Sequence, residues 1–180
     1  IRSEGIGRAL PAPPPLPPES DGMKESEIIN KGVSLASLGL IDEAIKQYKE
    51  ALRINPKNAS AHNNLGNAYA QKGLLEGAIK AYREAIKIDS YYTMAYYNIG
   101  MALFKKGLLD EAIKEYRNTL RIDKDFIEAY IGLGMALFKK GLLDETIKAY
   151  KEALRINPWY AEAYHNLGIA LFRKGLPDEA

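Results

Sequence analysis

"GMALFKKGLLDE" occupies residues 100–111, and the same twelve residues return at 134–145. A third version, "GIALFRKGLPDE", begins at Gly168, again 34 residues further on. Carrying that step toward the N-terminus aligns Gly32, Gly66, Gly100, Gly134 and Gly168 at one position, and Gly39, Gly73, Gly107, Gly141 and Gly175 at another. With the first of these glycines set as the eighth residue of a unit, the units run 25–58, 59–92, 93–126 and 127–160, and a fifth is partial at 161–180.

Within a unit, positions 4, 7, 8 and 11 obey the i, i+3, i+4, i+7 spacing that places residues on one helical face. The fourth position reads Ile28, His62, Tyr96, Tyr130 and Tyr164, and the eleventh reads Leu35, Tyr69, Leu103, Leu137 and Leu171. The second periodic glycine stands where this helix must stop, in a role that favours a residue free to take positive φ. Asp42-Glu43, Asp110-Glu111, Asp144-Glu145 and Asp178-Glu179 then open a second helix, their charges matched to its positive N-terminal end. That helix carries Ala44, Ala78, Ala112 or Thr146 four residues before Tyr48, Tyr82, Tyr116 or Tyr150, and a small residue three further on. Small residues let the two helices approach, and the tyrosine fills the space left between them. Pro56 and Pro158 close two units where Ser90 and Lys124 close the others, which predicts sharper helix ends at the prolines.

Each unit is therefore a helix-turn-helix, and the pattern resembles the tetratricopeptide repeat (TPR) over residues 25–180. The resemblance implies an all-α fold, a right-handed superhelical solenoid of stacked units occupying residues 23–180. One helix pair cannot bury its apolar face alone, so the repeated surface is what the next pair stacks upon. Lys31 departs from the Leu65, Ile99, Leu133 and Leu167 found at its repeat position, as a terminal unit with one wet side would.

Composition excludes several classes. Lys and Arg total 25 against 23 Asp and Glu, a net charge of +2, too weak a field to imply nucleic acid or an anionic membrane surface. With no cysteine, disulfides and thiolate metal sites are ruled out. His62 and His165 fall in different units at different positions, so neither a metal site nor a catalytic dyad is expected. The chain reads as a non-enzyme without cofactors. No stretch of 18 apolar residues occurs, and the expectation is a soluble, cytoplasmic protein that meets an organelle membrane only through partners.

The family resemblance implies a concave groove lined by the first helices, with positions 2, 5, 9, 12 and 13 facing a peptide ligand. Carried onto this chain, it selects Asn63 and Asn67, then Tyr97, Met101 and Phe104, then Ile131, Met135 and Phe138, and finally His165, Ile169 and Phe172. The same positions also bring Lys105, Lys139, Arg173, Glu128 and Glu162 to the wall. The groove is thus polar early and apolar late, with methionines able to adapt to an apolar partner. Some TPR domains clamp a chaperone's terminal carboxylate with Lys at position 5 and Asn at position 9; here Asn63 stands where that Lys belongs, so the clamp is incomplete.

Residues 30–45, "NKGVSLASLGLIDEAI", resemble the first repeat of the magnetosome-associated TPR proteins of magnetotactic bacteria. That resemblance implies a homo-oligomeric coat on the cytoplasmic side of the magnetosome membrane, offering docking surfaces to other proteins. The alternative is a chaperone-linked or secretion/pilus-type TPR adaptor. In front of the repeats, residues 1–22 form a proline-rich leader, either an added segment or part of a longer natural one. Its stretch "ALPAPPPLPPES", residues 9–20, favours polyproline II and is expected to dock in its own or a neighbour's groove through Leu10 and Leu16.

Overall fold

The computed structural model describes residues 21–175. The docking expected of Leu10 and Leu16, and the helix start expected at Asp178, lie outside the described residues. Among those residues there are nine helices and no strand: α1 (Asp21–Ser37), α2 (Ile41–Ile54), α3 (Ala59–Gln71), α4 (Leu75–Ile88), α5 (Thr93–Lys105), α6 (Leu109–Ile122), α7 (Ile127–Lys139), α8 (Leu143–Ile156) and α9 (Ala161–Lys174). The first helix of a unit opens on the unit's first residue at Ala59, Thr93, Ile127 and Ala161, so the 34-residue register in sequence is also the register in space. Each helix packs on the next, and α1, α3, α5, α7 and α9 also touch in succession, building a solenoid whose one wall is made of first helices.

The turn between paired helices repeats in detail. Gly107 sits at φ 78°, and the N–H of Leu108 reaches back to the carbonyl of Leu103 at 3.0 Å, which satisfies one of the orphan acceptors at the end of α5. A Cβ on Gly107 would meet nothing within 4 Å, so the need for glycine there is conformational and not steric. Gly107→Ala is accordingly expected to cost about 1 kcal/mol, seen as a small drop in a denaturant midpoint with helix content unchanged; an unaltered midpoint would show that the turn tolerates a side chain at positive φ.

The second helices end differently from the sequence expectation. The proline-closed α2 and α8 stop at the same register as α4 and α6, all four being 14 residues long. The stop is set one residue earlier than the proline would act. Asn55, Asp89, Asp123 and Asn157 take an extended backbone, and each side-chain oxygen accepts the N–H two residues on, at 3.1, 2.9, 2.9 and 3.0 Å. These Asx turns compete with the helix wherever they occur, with or without a following proline.

The core is the seam between paired helices. Tyr48, Tyr82, Tyr116 and Tyr150 are buried, and Ala44, Ala78, Ala112 and Thr146 are fully so. Thr146 fits an alanine site because its hydroxyl donates to the carbonyl of Leu142 at 2.8 Å. Lys31 is exposed on α1, as the wet side of the first unit requires. On the rim between units, Lys72, Lys106, Lys140 and Lys174 pair with Asp42, Glu76, Asp110 and Asp144 of the preceding unit. Exposed pairs of this kind contribute at most about 1 kcal/mol each, so they trim register and leave stability to the seam.

Candidate functional site

The wall of first helices changes character along its length. In the second unit the tyrosine of the seam meets an amide. The Tyr82 hydroxyl donates to Asn67 Oδ1 at 2.8 Å, and Asn98 Nδ2 donates to the same oxygen and to Asn63 Oδ1, both at 3.1 Å. A carbonyl oxygen has two lone pairs, so Asn67 Oδ1 is saturated from within the protein. Asn63 is buried at 4% exposure and Asn98 at 7%. This stretch of wall is sealed.

One unit later both amides are gone. Met101 stands at the repeat position of Asn67, and Gly132 at that of Asn98. A Cβ on Gly132 would lie 2.6 Å from Tyr116 Cζ, and one on Gly100 would lie 2.8 Å from the same ring, so the phenol is held between two glycine backbones. Tyr116 is itself only 2% exposed, and Gly132 leaves no side chain at the position where Asn98 stands in the unit before. The result is a recess of about 290 Å³, with Tyr97, Met101, Phe104, Tyr116, Ile131 and Met135 among its walls. A second recess of about 180 Å³ shares Phe104 and Met135 and adds Phe138, Tyr150, Asn166 and Ile169. The two recesses therefore adjoin each other across Phe104 and Met135.

Burial shifts the phenols beside the recess. Burial pushes Tyr116 well above the ordinary range and Tyr150 up to about 12, with Glu162 adding to the latter. Tyr97 is raised by burial first and then by Glu128, Tyr160 and Glu162. Its ring is tilted against Phe126 at 5.1 Å and Tyr116 at 6.0 Å. These phenols stay neutral at physiological pH, giving an apolar floor with hydroxyls able to donate. Met101 and Met135 remain 37% and 38% exposed at its mouth.

The aromatic at position 12 serves two ends. It lines the recesses, and it carries the cation of the next unit: Lys139 Nζ lies 4.4 Å above the Phe104 ring and the Arg173 guanidinium 4.8 Å above Phe138. Such contacts lay the long side chains along the aromatic rings while their charged ends stay in water.

Of the residues selected from sequence, Tyr97, Met101, Phe104, Ile131, Met135, Phe138 and Ile169 come together around the two recesses. Ile131 contributes as a buried wall, at 5% exposure. Asn63 and Asn67 face each other in the sealed network instead, while His165 and Phe172 are exposed and line neither recess. The selection did not include Tyr116, Gly132, Tyr150, Tyr160 and Asn166. A signal was present: the sixth position reads Asn30, Asn64, Asn98, Gly132 and Asn166, and the one glycine marks the opening. Among the described residues no group of His, Asp and Glu could hold a metal ion, and no helix is long and apolar enough to cross a membrane.

The TPR repeat signature matches residues 32–73, 66–107, 100–141 and 134–175. Among solved structures the chain is similar to a crystal structure of MamA protein at 30% identity and a TM-score of 0.79, over 88% of this chain and 86% of that one. A further crystal structure of MamA matches at 31% identity and a TM-score of 0.77, over 82% and 86%. YrrB, described as a TPR protein with an unusual peptide-binding site, shares the fold at 23% identity and a TM-score of 0.71, over 89% and 87%. No curated protein sequence matches the chain.

Proposed function

The chain belongs to the tetratricopeptide repeat family, and we propose that it is a non-enzymatic scaffold whose concave groove takes partner segments over Tyr97, Met101, Phe104, Met135 and Phe138. The observation that carries this reading is the recess of about 290 Å³ bordered by Tyr116 and Gly132, where the glycine stands in place of the amide that is hydrogen-bonded within the wall one unit earlier. A side chain inserted there meets an apolar floor without displacing any hydrogen bond. Each buried Leu-like anchor contributes roughly 1.5 to 3 kcal/mol, while fixing a free peptide costs several. One chain's recesses thus suit modest affinity, raised by bivalency when copies assemble.

Selection of peptides from a displayed library tests the reading. Bound peptides are expected to shift the backbone amides of α5 and α7 around residues 100–104 and 131–138. Met135→Glu is expected to weaken them about tenfold, the equivalent of losing roughly one anchor, without moving the melting temperature, because Met135 is partly exposed. Shifts confined to α4, α6 and α8, or affinity indifferent to Met135→Glu, would refute it.

The finer assignment rests on the similarity to MamA: a self-assembling, magnetosome-associated coat protein reached from the cytoplasm and joined to the membrane through partners. Concentration-dependent light scattering tests the assembly, and a strictly monomeric species at all concentrations would remove it. The proline-rich leader is a further candidate occupant. At about 3.1 Å per residue, residues 11–18 would extend about 25 Å, enough to cross two or three helices spaced about 10 Å apart. A leader peptide that fails to compete with selected peptides would exclude it.

A further inference from the structure

The charges around the first recess divide by sign. At the N-terminal rim of the wall stand Glu128 of α7 and Glu162 of α9, each at the second position of its unit; at the C-terminal rim stand Lys105 of α5 and Lys139 of α7. Lys105, Glu128 and Glu162 all border the same recess, and Lys139 borders the adjoining one. All four side chains are exposed, and none makes an ion pair among the described residues.

The lysine one residue further on behaves in the opposite way. Lys106 and Lys140 turn to the outer rim and pair with Glu76 and Asp110. Adjacent lysines with the same intrinsic chemistry are therefore used differently: the outer one is neutralised within the protein and the inner one is held over the groove, Lys139 by the Phe104 ring. Helix-dipole matching does not account for the acidic rim, since α3 and α5 have no acidic residue in the first turn. At the second position of the units, Ser26, Ser60 and Met94 give way to Glu128 and Glu162 only on α7 and α9, two helices that border the recess. Their charge also reaches inward, adding to the elevation of the Tyr97 phenol after burial.

From this arrangement we infer that the groove recognises an extended segment of mixed charge, with a basic side chain set against Glu128 and Glu162, an acidic one against Lys105 and Lys139, and an apolar one between them in the Tyr116–Gly132 recess. The inference rests on the groove being the binding surface and adds the chemistry and orientation of the occupant. The spacing follows from helix geometry. Positions 2 and 13 of a helix lie eleven residues apart, about 16 Å at 1.5 Å per residue. An extended chain covers that distance in about five residues at roughly 3.3 Å each. The recognised segment therefore has its two opposite charges about five residues apart and a leucine-sized or methionine-sized side chain between. Like-charged segments place one charge against a rim of the same sign, an arrangement that penalises wrong partners more than it strengthens the right one.

Three fluorescein-labelled peptides test this with the full chain. All carry a central leucine in a serine background; the flanking charges are arginine and glutamate in the first, two glutamates in the second and two arginines in the third. By anisotropy the mixed peptide is expected to bind about fivefold to tenfold tighter than either like-charged one, the scale of an exposed ion pair at each end. The preference is expected to shrink as salt is raised to about 1 M, where the Debye length falls to about 3 Å. Glu128→Gln with Glu162→Gln should erase the preference over the doubly acidic peptide, and Lys105→Gln with Lys139→Gln the preference over the doubly basic one. These exposed substitutions leave the seam untouched, and an unchanged melting curve verifies that. Equal binding of all three peptides, lost on Met135→Glu, overturns charge recognition while the groove stands. No binding of any of the three, with library-selected peptides mapping to α4, α6 and α8, overturns both.

Discussion

Replacing Tyr82 with alanine is expected to lower the unfolding free energy by about 3 to 5 kcal/mol, the usual range for a buried aromatic cut to alanine. The ring is 2% exposed and lies against the backbone of Gly66, where a Cβ would come within 2.4 Å of Tyr82 Cε1. Gly66 has no side chain that could fill the vacated space. The hydroxyl adds a second loss, because Asn67 Oδ1 would retain only Asn98 as a donor. For a chain of this size the change corresponds to a fall in melting temperature of roughly 6 to 20 °C. Tyr82→Phe keeps the ring and removes the hydrogen bond, with an expected cost of about 1 kcal/mol. Circular dichroism melts of the two variants separate the contributions, and a Tyr82→Ala melt that overlays the parent would show that the seam does not depend on this ring. Because each unit touches only its neighbours, the damage falls where the second and third units meet. Protection of amides in α3 and α4 is expected to fall before that in α7 and α8.

Gly134→Ala is expected to cost about 1 to 3 kcal/mol through overpacking. A Cβ there would lie 2.4 Å from Tyr150 Cε1 and 2.7 Å from Tyr150 Cζ, so either the ring or α7 must move. The cost has a different origin from that of Gly107→Ala, where space is open and only the backbone conformation is at stake. The distinction can be measured. Combining Gly134→Ala with Tyr150→Leu is expected to give less destabilisation than the sum of the two, since the smaller side chain relieves the clash. Strict additivity in the double-variant cycle would mean that the alanine is accommodated elsewhere. A glycine at repeat position 8 is thus a steric requirement of the tyrosine sixteen residues later, and this explains why the two recur together in every complete unit.

Some of this was legible along the chain and some was not. The glycines at positions 8 and 15, the small residues and the tyrosines are separated by fewer than twenty residues within one unit. Their roles follow from helix period and turn chemistry, and the structure has them where that reasoning puts them. The late, apolar part of the groove was legible for the same reason: Met101, Phe104, Met135 and Phe138 lie on one face of α5 and α7. The sharper ends expected at Pro56 and Pro158 are not distinct from the others, because the Asx residue just before each unit's closing position sets the stop with or without a proline. Asn63 and Asn67 were selected for a ligand on their repeat positions, but their oxygens accept from Tyr82 and Asn98.

The amino-acid order alone determines the period, the paired helices, the glycine turns and the tyrosine seam, because each of these is set by residues close together along the chain. Only the tertiary structure decides which polar groups are spent inside the protein and which stay free. Asn98 meets Asn63 and Asn67 from 35 and 31 residues away, and Lys140 meets Asp110 from 30 away. Hydrogen bonds and ion pairs depend on distances of a few ångströms, and those distances exist only after neighbouring units have stacked. The same stacking packs Tyr116 against Gly132 with no side chain at that position, and it is beside them, between rims of opposite charge, that the wall opens.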